Sequence, residues 1–544
     1  MSKKLRGRFT KMSSDRLRQL YNRRKAEIAS LFKTSNRSSP RVQYAASPKP
    51  APAGPAQAVT ASKIAAPRKV PSSNPPASLE TRVSSMRKLH GVYREIISGG
   101  YFIPSANELV YGRREAIPLD VAANQTMDSS KVMYNAGITF TLLTSFLQDC
   151  SMIAFGKTGT GKTTLAEYVS SAVFNLPIGR VQQATIIGHP ELTEEKMVAM
   201  FDVIMMLNKK RKIIVRDFVR EYVRIIDEVN RIPPKTLSIL YQLIDRGWTT
   251  YQGQRIVARP APLFVTANPP DSGNYELPEP FVDRFDIGEV FQSLDPFEYE
   301  NYADKRQGKI RKDSRQIVEP PVKLSERDLV DVRKTVYAVE FPSELVSMLA
   351  HFSAEIRTCD MAGITPEKKT KSNTLYKKVG PLCQDCDHYT ADNNVCSRTE
   401  NDLSSRSLST IFSYSKALAA WRGSTRVSED DLKYALAYGS WFKLRGTRKA
   451  FEDEPRHFND RIAWVLSLYD MTNHSYDEVC AQLPEYRNIT QLFFAHALHQ
   501  EGRGPKPSVG RADVKHLFEE AAKLDSQVKF PLMASLNKLY LSLK

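Results

Sequence analysis

Residues 154–165, Ala-Phe-Gly-Lys-Thr-Gly-Thr-Gly-Lys-Thr-Thr-Leu, have the make-up of a phosphate cradle. Gly156, Gly161, Lys162 and Thr163 fit the spacing G-x-x-x-x-G-K-[ST]. The glycines, with Gly159 between them, let the backbone curl until successive N–H groups point inward at phosphate oxygens. The Lys162 ammonium supplies a point charge for the β- and γ-phosphates, and the Thr163 hydroxyl can bind Mg²⁺. The expected nucleotide-binding residues are therefore Gly156, Lys157, Thr158, Gly159, Thr160, Gly161, Lys162, Thr163 and Thr164. The flanks agree with this reading. Residues 150–155 are an apolar run suited to a buried strand, and residues 163–174 suit a helix whose positive end faces the loop.

Two further groups carry the same chemistry. An apolar strand ends at Asp227-Glu228, about 65 residues after the loop. Asp227 can hold the Mg²⁺ water shell beside Thr163, and Glu228 can take a proton from an attacking water. Alone, such a pair could equally cap a strand before a helix. Farther on, a strand ends in Asn268, whose amide can stand between the γ-phosphate and the water. Arg284 closes the short segment "LPEPFVDRFD". It could stabilise transition-state charge on a neighbouring subunit's nucleotide, or pair with Asp283 or Asp286.

Alternating helices and short apolar strands must position these residues, which predicts a parallel sheet flanked by helices. The strands expected are 151–155, 181–186, 222–227 and 262–267. With 544 residues and 41% hydrophobic content the chain can build several cores. No apolar run reaches the ~18–20 residues of a membrane span and no secretory segment opens the chain. An intracellular, cytoplasmic protein is expected, with organelle or viral settings open. The net charge of +18 is concentrated: residues 1–90 hold 20 Lys/Arg against 3 Asp/Glu, and the rest hold 58 against 57. Residues 1–83 are expected to be a basic, largely disordered tail. Within it, 13–32 form a short amphipathic helix and 34–79 a Pro/Ala/Ser-rich linker. The tail could dock on a partner, touch nucleic acid or another acidic surface, or simply be solvated.

"DEVNRIPPKTLSILYQLIDRG" (227–247) followed by "TANPPDSGNYELPEPFVDRFD" (266–286) resembles the MoxR branch of the AAA+ ATPases. The likeness runs over roughly residues 130–445, with Val229 where the pattern has Ile. It implies that Lys162 and Thr163 bind ATP–Mg²⁺, that Asp227 and Glu228 are the Walker B pair, that Asn268 is sensor 1 and that Arg284 is a trans-acting finger. The helix around 401–436 resembles the family's lid, which makes Arg406 sensor 2. An N-terminal helix arginine in solvent is the other reading of Arg406. "VSEDDLKYAL" (427–436) shows Ser-x-x-Asp capping logic. The implied fold is an α/β AAA+ P-loop core over 84–300, a helical lid over 301–450 and a helical C-terminal region over 451–544. The implied assembly is a homo-oligomeric ring, usually hexameric, acting on a partner protein; relatives often act beside a von Willebrand factor A domain.

The chain departs from that pattern twice. Gln182–Arg220 is long, sits where the family inserts structure, and carries Lys209, Lys210, Arg211, Lys212, Arg216 and Arg220. These could track a phosphate backbone, form a solvated face or contact a neighbouring subunit. Residues 359–396 interrupt the lid with Cys359, Cys383, Cys386 and Cys396, a spacing that suits one structural Zn²⁺, with His388 able to replace Cys359. Free thiols or a redox pair are the alternatives, while Cys150 and Cys480 lie in apolar, core-like contexts. Past 450 the periodicity is helical, without catalytic residues. Two functions fit. One is a ring ATPase that remodels or loads a partner protein. The other is a nucleic-acid motor of the minichromosome-maintenance type, favoured by the basic residues but not by the near-neutral body.

Overall fold

A computed structural model describes residues 79–98, 107–112, 130–147, 149–202, 212–269, 275–292, 319–357 and 395–543, apart from 503, 506, 525 and 527. The 13–32 helix, the linker as far as 78, Lys209–Arg211, Cys359, Cys383, Cys386 and His388 lie outside the described residues. The first described helix, α1 (Leu79–Ser98), begins five residues before the expected start of order at 84. It buries Leu89, Val92, Tyr93 and Ile96 at helical spacing, and His90 stacks on Trp421 with ring centroids 3.8 Å apart. A two-stranded antiparallel ribbon follows, β1 (Glu108–Gly112) with β2 (Lys131–Asn135), and then α2 (Ala136–Phe146).

The central sheet contains β3 (Ser151–Gly156), which leads through the glycine loop into α3 (Lys162–Phe174), and then β4 (Thr185–Ile187). A hairpin of β5 (Ala199–Phe201) and β6 (Ile213–Val215) comes next, within the long 182–220 segment. It is followed by β7 (Arg224–Asp227) and α4 (Pro234–Arg246). A second hairpin, β8 (Trp248–Tyr251) with β9 (Gln254–Val257), turns at Gln252 and Gly253, both at positive φ as such two-residue turns require. The sheet is completed by β10 (Leu263–Ala267) and β11 (Ile287–Phe291). Its order is β11-β3-β10-β7-β4 and every pair in it is parallel.

This order places β10 between the loop strand and the Asp-Glu strand, so three strand tips that are distant in sequence end side by side. Residues alternate between two cores. Met152, Ala154, Ile225 and Phe264 face the helices α1, α2 and α3. Ile153, Ile226 and Val265 face α4 and the hairpins. Burial on both sides is why the strands read as continuous apolar runs.

Two strand expectations need correction. Residues 181–186 are not a strand: Ile178–Gln183 is a helix started by Pro177, Val181 is buried as a helical residue, and only Thr185–Ile187 pairs, at the sheet edge. The fifth strand, β11, was not anticipated because the fully buried Glu289 interrupts its apolar run.

Beyond the sheet lie α5 (Glu326–Ala338), α6 (Ser343–Arg357), α7 (Ser405–Trp421) and α8 (Glu429–Ser440). The capping box expected at Ser428 and Asp431 is present. It shares Asp431 with the buried Arg422, whose Nε donates to Oδ1 at 2.9 Å. The C-terminal helices are α9 (Arg461–Gln482), α10 (Tyr486–Gln500), α11 (Arg511–Ala521) and α12 (Lys529–Ser542). Helix α9 lies against α6 and α8, and α10 against α6, so this region extends the core that the lid shares. Among the described residues, no helix is long and apolar enough to cross a membrane.

Candidate nucleotide site

At the end of β3 the chain must turn under the neighbouring strand. Gly156 has φ +148°, and a Cβ there would sit 2.2 Å from the Phe291 carbonyl oxygen, so only glycine fits. Lys157, Thr158 and Gly159 are exposed at the crest of the loop, and the Thr160 hydroxyl donates to the Lys157 carbonyl at 2.9 Å. Helix α3 opens at Gly161 with no side-chain cap, so its first N–H groups remain available to an anion. Thr164 lies in its first turn. The Lys162 ammonium is buried under the loop and donates to the carbonyls of Gly156 and Lys157 at 2.7 Å each. It lies 3.4 Å from the Asn268 amide oxygen. Burial pulls its pKa down, opposed by the charges of Asp227 and Glu228.

Asp227 is placed at the tip of β7. One of its carboxylate oxygens accepts from the Thr163 hydroxyl at 2.5 Å and from the Thr266 hydroxyl at 2.6 Å. Thr163 and Asp227 thus bring a hydroxyl and a carboxylate to one point, the hard-oxygen donor set that Mg²⁺ prefers, and the pair fits that ion. Glu228 follows in the left-handed region, φ +54°. Such a conformation costs a non-glycine residue about 1–3 kcal/mol and needs outside support. Support comes from three sides: its N–H donates to Thr266 Oγ1 at 2.8 Å, its Oε1 accepts from Asn268 Nδ2 at 2.6 Å, and Arg231 lies 3.2 Å from its other oxygen. Gly188 closes the fourth side. Its N–H donates to the Asp227 carbonyl at 2.7 Å, and a Cβ there would meet the Glu228 carbonyl oxygen at 2.1 Å.

Asn268 is held by its backbone as well as its side chain. The Asn230 amide donates to the Asn268 carbonyl at 2.9 Å, and the Asn268 N–H returns to Asn230 at 3.3 Å. Lys162, Thr163, Asp227, Glu228 and Asn268 therefore form one hydrogen-bonded group at the strand ends, where open α/β sheets bind ligands.

The two arginines are elsewhere. Arg284 follows the short helix Glu279–Val282 and pairs with Asp245 at 2.8 Å, not with Asp283 or Asp286. Asp283 accepts instead from Ser404, and Asp286 from Ser151 and Thr410. Arg406, in the first turn of α7, reaches the same Asp245 at 2.9 Å. It is partly exposed but ion-paired, and no bond is seen from it to the phosphate loop among the described residues.

Thr266, Asn230, Arg231, Gly188 and Asp245 were not singled out from sequence. Thr266 had a signal, a hydroxyl in an otherwise apolar strand one residue short of its tip. Of the cysteine group only Cys396 is described, and it is half-buried. Among the described residues no cluster of three or more His, Cys, Asp or Glu could hold a metal. The Cys150 thiol is pushed up by burial, and Cys480 packs against the core, as expected for both.

With this geometry in hand, comparison with known proteins gives a family likeness over part of the chain. Residues 151–285 match the family model described as AAA domain, dynein-related subfamily. No curated protein matches the chain. Among solved structures, a crystal structure from Cytophaga hutchinsonii, provisionally described as an ATPase, is 16% identical with a TM-score of 0.49, covering 71% of this chain and 96% of that one. A likeness at that level is too distant to bear on function.

Proposed function

Taking residues 151–285 as the AAA domain that the family model describes, we propose that the chain is an ATP hydrolase that works as a ring, of the MoxR type within AAA+, and uses turnover to remodel or load a partner protein. One observation carries this reading. The groups for binding phosphate and activating water converge at one place, and both candidate arginines are bonded at another. In this reading, a site with a base but neither candidate arginine is incomplete in one protomer and is completed by a second.

In this reading the loop N–H groups and Lys162 hold the phosphates. Thr163 and Asp227 hold Mg²⁺, which when bound neutralises charge on the phosphoryl oxygens. Glu228 takes the proton of the attacking water. Asn268, bonded to Glu228 and close to Lys162, orients that water against the γ-phosphate. Arg284 and Arg406 come from the adjacent protomer. A hexameric ring, a partner with a von Willebrand factor A domain and a structural zinc at Cys359, Cys383, Cys386 and Cys396 belong to the same proposal, supported by the motif resemblance and the cysteine spacing.

The test is complementation between two inactive variants. Arg284→Ala should bind ATP and lose roughly 10³-fold or more in turnover, the scale of an arginine finger. Lys162→Ala should fail to bind nucleotide. Mixed rings of the two should regain activity, because each supplies what the other lacks. Mixed rings shown to form but remaining inactive would count against an arginine acting in trans.

A further inference from the structure

Helix α4 carries in its last turn, just before Arg246, a residue whose charge opposes the helix. Asp245 lies in the last turn, before the chain leaves through Gly247 at φ +65°. Carboxylates are disfavoured there, because the helix C-terminus carries the negative end of the macrodipole. What compensates for this is specific. One Asp245 oxygen accepts from Arg284 Nε at 2.9 Å and lies 2.8 Å from an Arg284 terminal nitrogen. The other accepts from Arg406 at 2.9 Å. One turn back on the same helix, the Tyr241 ring lies beneath the Arg284 guanidinium, 4.5 Å from ring centre to Cζ. The Pro280 carbonyl accepts from the remaining Arg284 nitrogen.

Three chain-distant segments meet at this carboxylate: α4, the loop carrying Arg284, and the lid helix α7. The side chains are partly exposed, at 26% for Asp245, 19% for Arg284 and 41% for Arg406. Ion pairs this wet contribute little to stability. Their geometric effect is larger, since a fork-shaped guanidinium bonded through two nitrogens is fixed in direction. Two like charges held side by side without an intervening anion would also repel one another.

We propose that Asp245 is the positioning residue for both arginines, seating Arg284 and Arg406 as one unit so that core and lid present their charges together to the nucleotide of the next protomer. The inference rests on the trans-acting reading above and deepens it. It makes the lid's orientation a condition for placing the finger, because Arg406 and Arg284 share one anchor.

The experiment uses the full chain with Asp245→Ala and Asp245→Asn. The expected result is a fall in kcat of roughly 10- to 100-fold, the cost of misplacing a catalytic group by about 1 Å, with KM for ATP and nucleotide affinity within twofold of the parent. Asp245→Asn, which keeps an acceptor and loses the charge, should fall between. Mixing Asp245→Ala with Lys162→Ala should restore turnover. The triple variant Asp245→Ala/Arg284→Ala/Arg406→Ala should be no slower than Arg284→Ala/Arg406→Ala, since Asp245 acts through those two groups. Unchanged or raised kcat in Asp245→Ala, or losses that multiply in the triple variant, overturns the positioning role while an inactive Arg284→Ala still supports the trans finger. Full turnover in Arg284→Ala would instead remove the finger reading, and this inference with it.

Discussion

Thr266→Val removes one hydroxyl from a 1%-exposed strand residue and changes little else. Valine is nearly isosteric and suits a parallel strand, so β10 should still form. The Oγ serves two neighbours: it donates to Asp227 at 2.6 Å and accepts from the Glu228 N–H at 2.8 Å. Leaving a buried N–H without its acceptor costs about 1–3 kcal/mol, and a bond to a charged group contributes about 1.5–3 kcal/mol. The left-handed backbone at Glu228 stores about 1–3 kcal/mol. The lost support is thus as large as the strain it restrains, and Glu228 should relax away from its place. At about 1.4 kcal/mol per tenfold, a loss of about 1–3 kcal/mol in placing the base is a fall of roughly 5- to 150-fold in kcat. Nucleotide affinity should hold, because Thr266 bonds neither the loop nor Lys162. Steady-state ATPase assays beside nucleotide titration and a melting curve separate these effects, and Thr266→Ser should restore most of the rate. A folded valine variant with kcat within twofold of the parent, or a serine variant as slow as valine, would refute the reasoning.

Lys443 offers a pH test of the junction between core and lid. Burial brings its pKa down to about 8, despite the opposing pull of Asp286 and Asp283, while Arg406 lowers it further, and its ammonium donates to Ser407 at 3.1 Å. Its folded pKa lies below the ordinary 10.5 of the unfolded chain, so native stability should rise as pH goes from about 8 to about 10.5 and carry a constant penalty below that window. The gain is up to about 3 kcal/mol. Denaturant unfolding at pH 7 and pH 10 should show the stability difference between parent and Lys443→Met narrowing by that order, and parallel pH profiles would contradict it. For the cysteines, metal analysis of protein purified without chelator should find about one zinc per chain. Cys383→Ser should release it and leave nucleotide binding intact, and metal-free protein at the outset would rule the site out.

The phosphate loop, the Asp-Glu pair and Asn268 were legible because each depends on chain-local order: a strand, its tip and the turn that follows. Their convergence was legible as well, since a parallel sheet gathers strand ends on one edge. Strand 181–186 was misread because a three-residue edge strand carries too little pattern to outweigh the helix that precedes it. Strand β11 was missed because a buried glutamate breaks the apolar run by which a central strand is recognised. Thr266 and Gly188 could not be weighted from sequence. Their importance lies in which backbone groups they face, and those groups, Glu228 N–H and Glu228 C=O, are about 40 residues away in the chain.

The arginines mark where local order stops being sufficient. Arg284 has carboxylates at 283 and 286, and nearness in sequence favours those as its partners. The sheet has already committed them: Asp286 caps the start of β3 through the Ser151 N–H at 2.8 Å, and Asp283 holds Ser404 at the foot of the lid helix. Arg284 therefore turns to a carboxylate 39 residues back, at the end of the helix that follows the Asp-Glu pair. That helix begins a few residues after Glu228 and carries Asp245 in its last turn, so one helix, α4, runs from close behind Glu228 to the carboxylate that holds Arg284 and Arg406. In the ring proposed above, where the arginines of one protomer serve the base of the next, this helix would connect each site to the arginines offered to its neighbour.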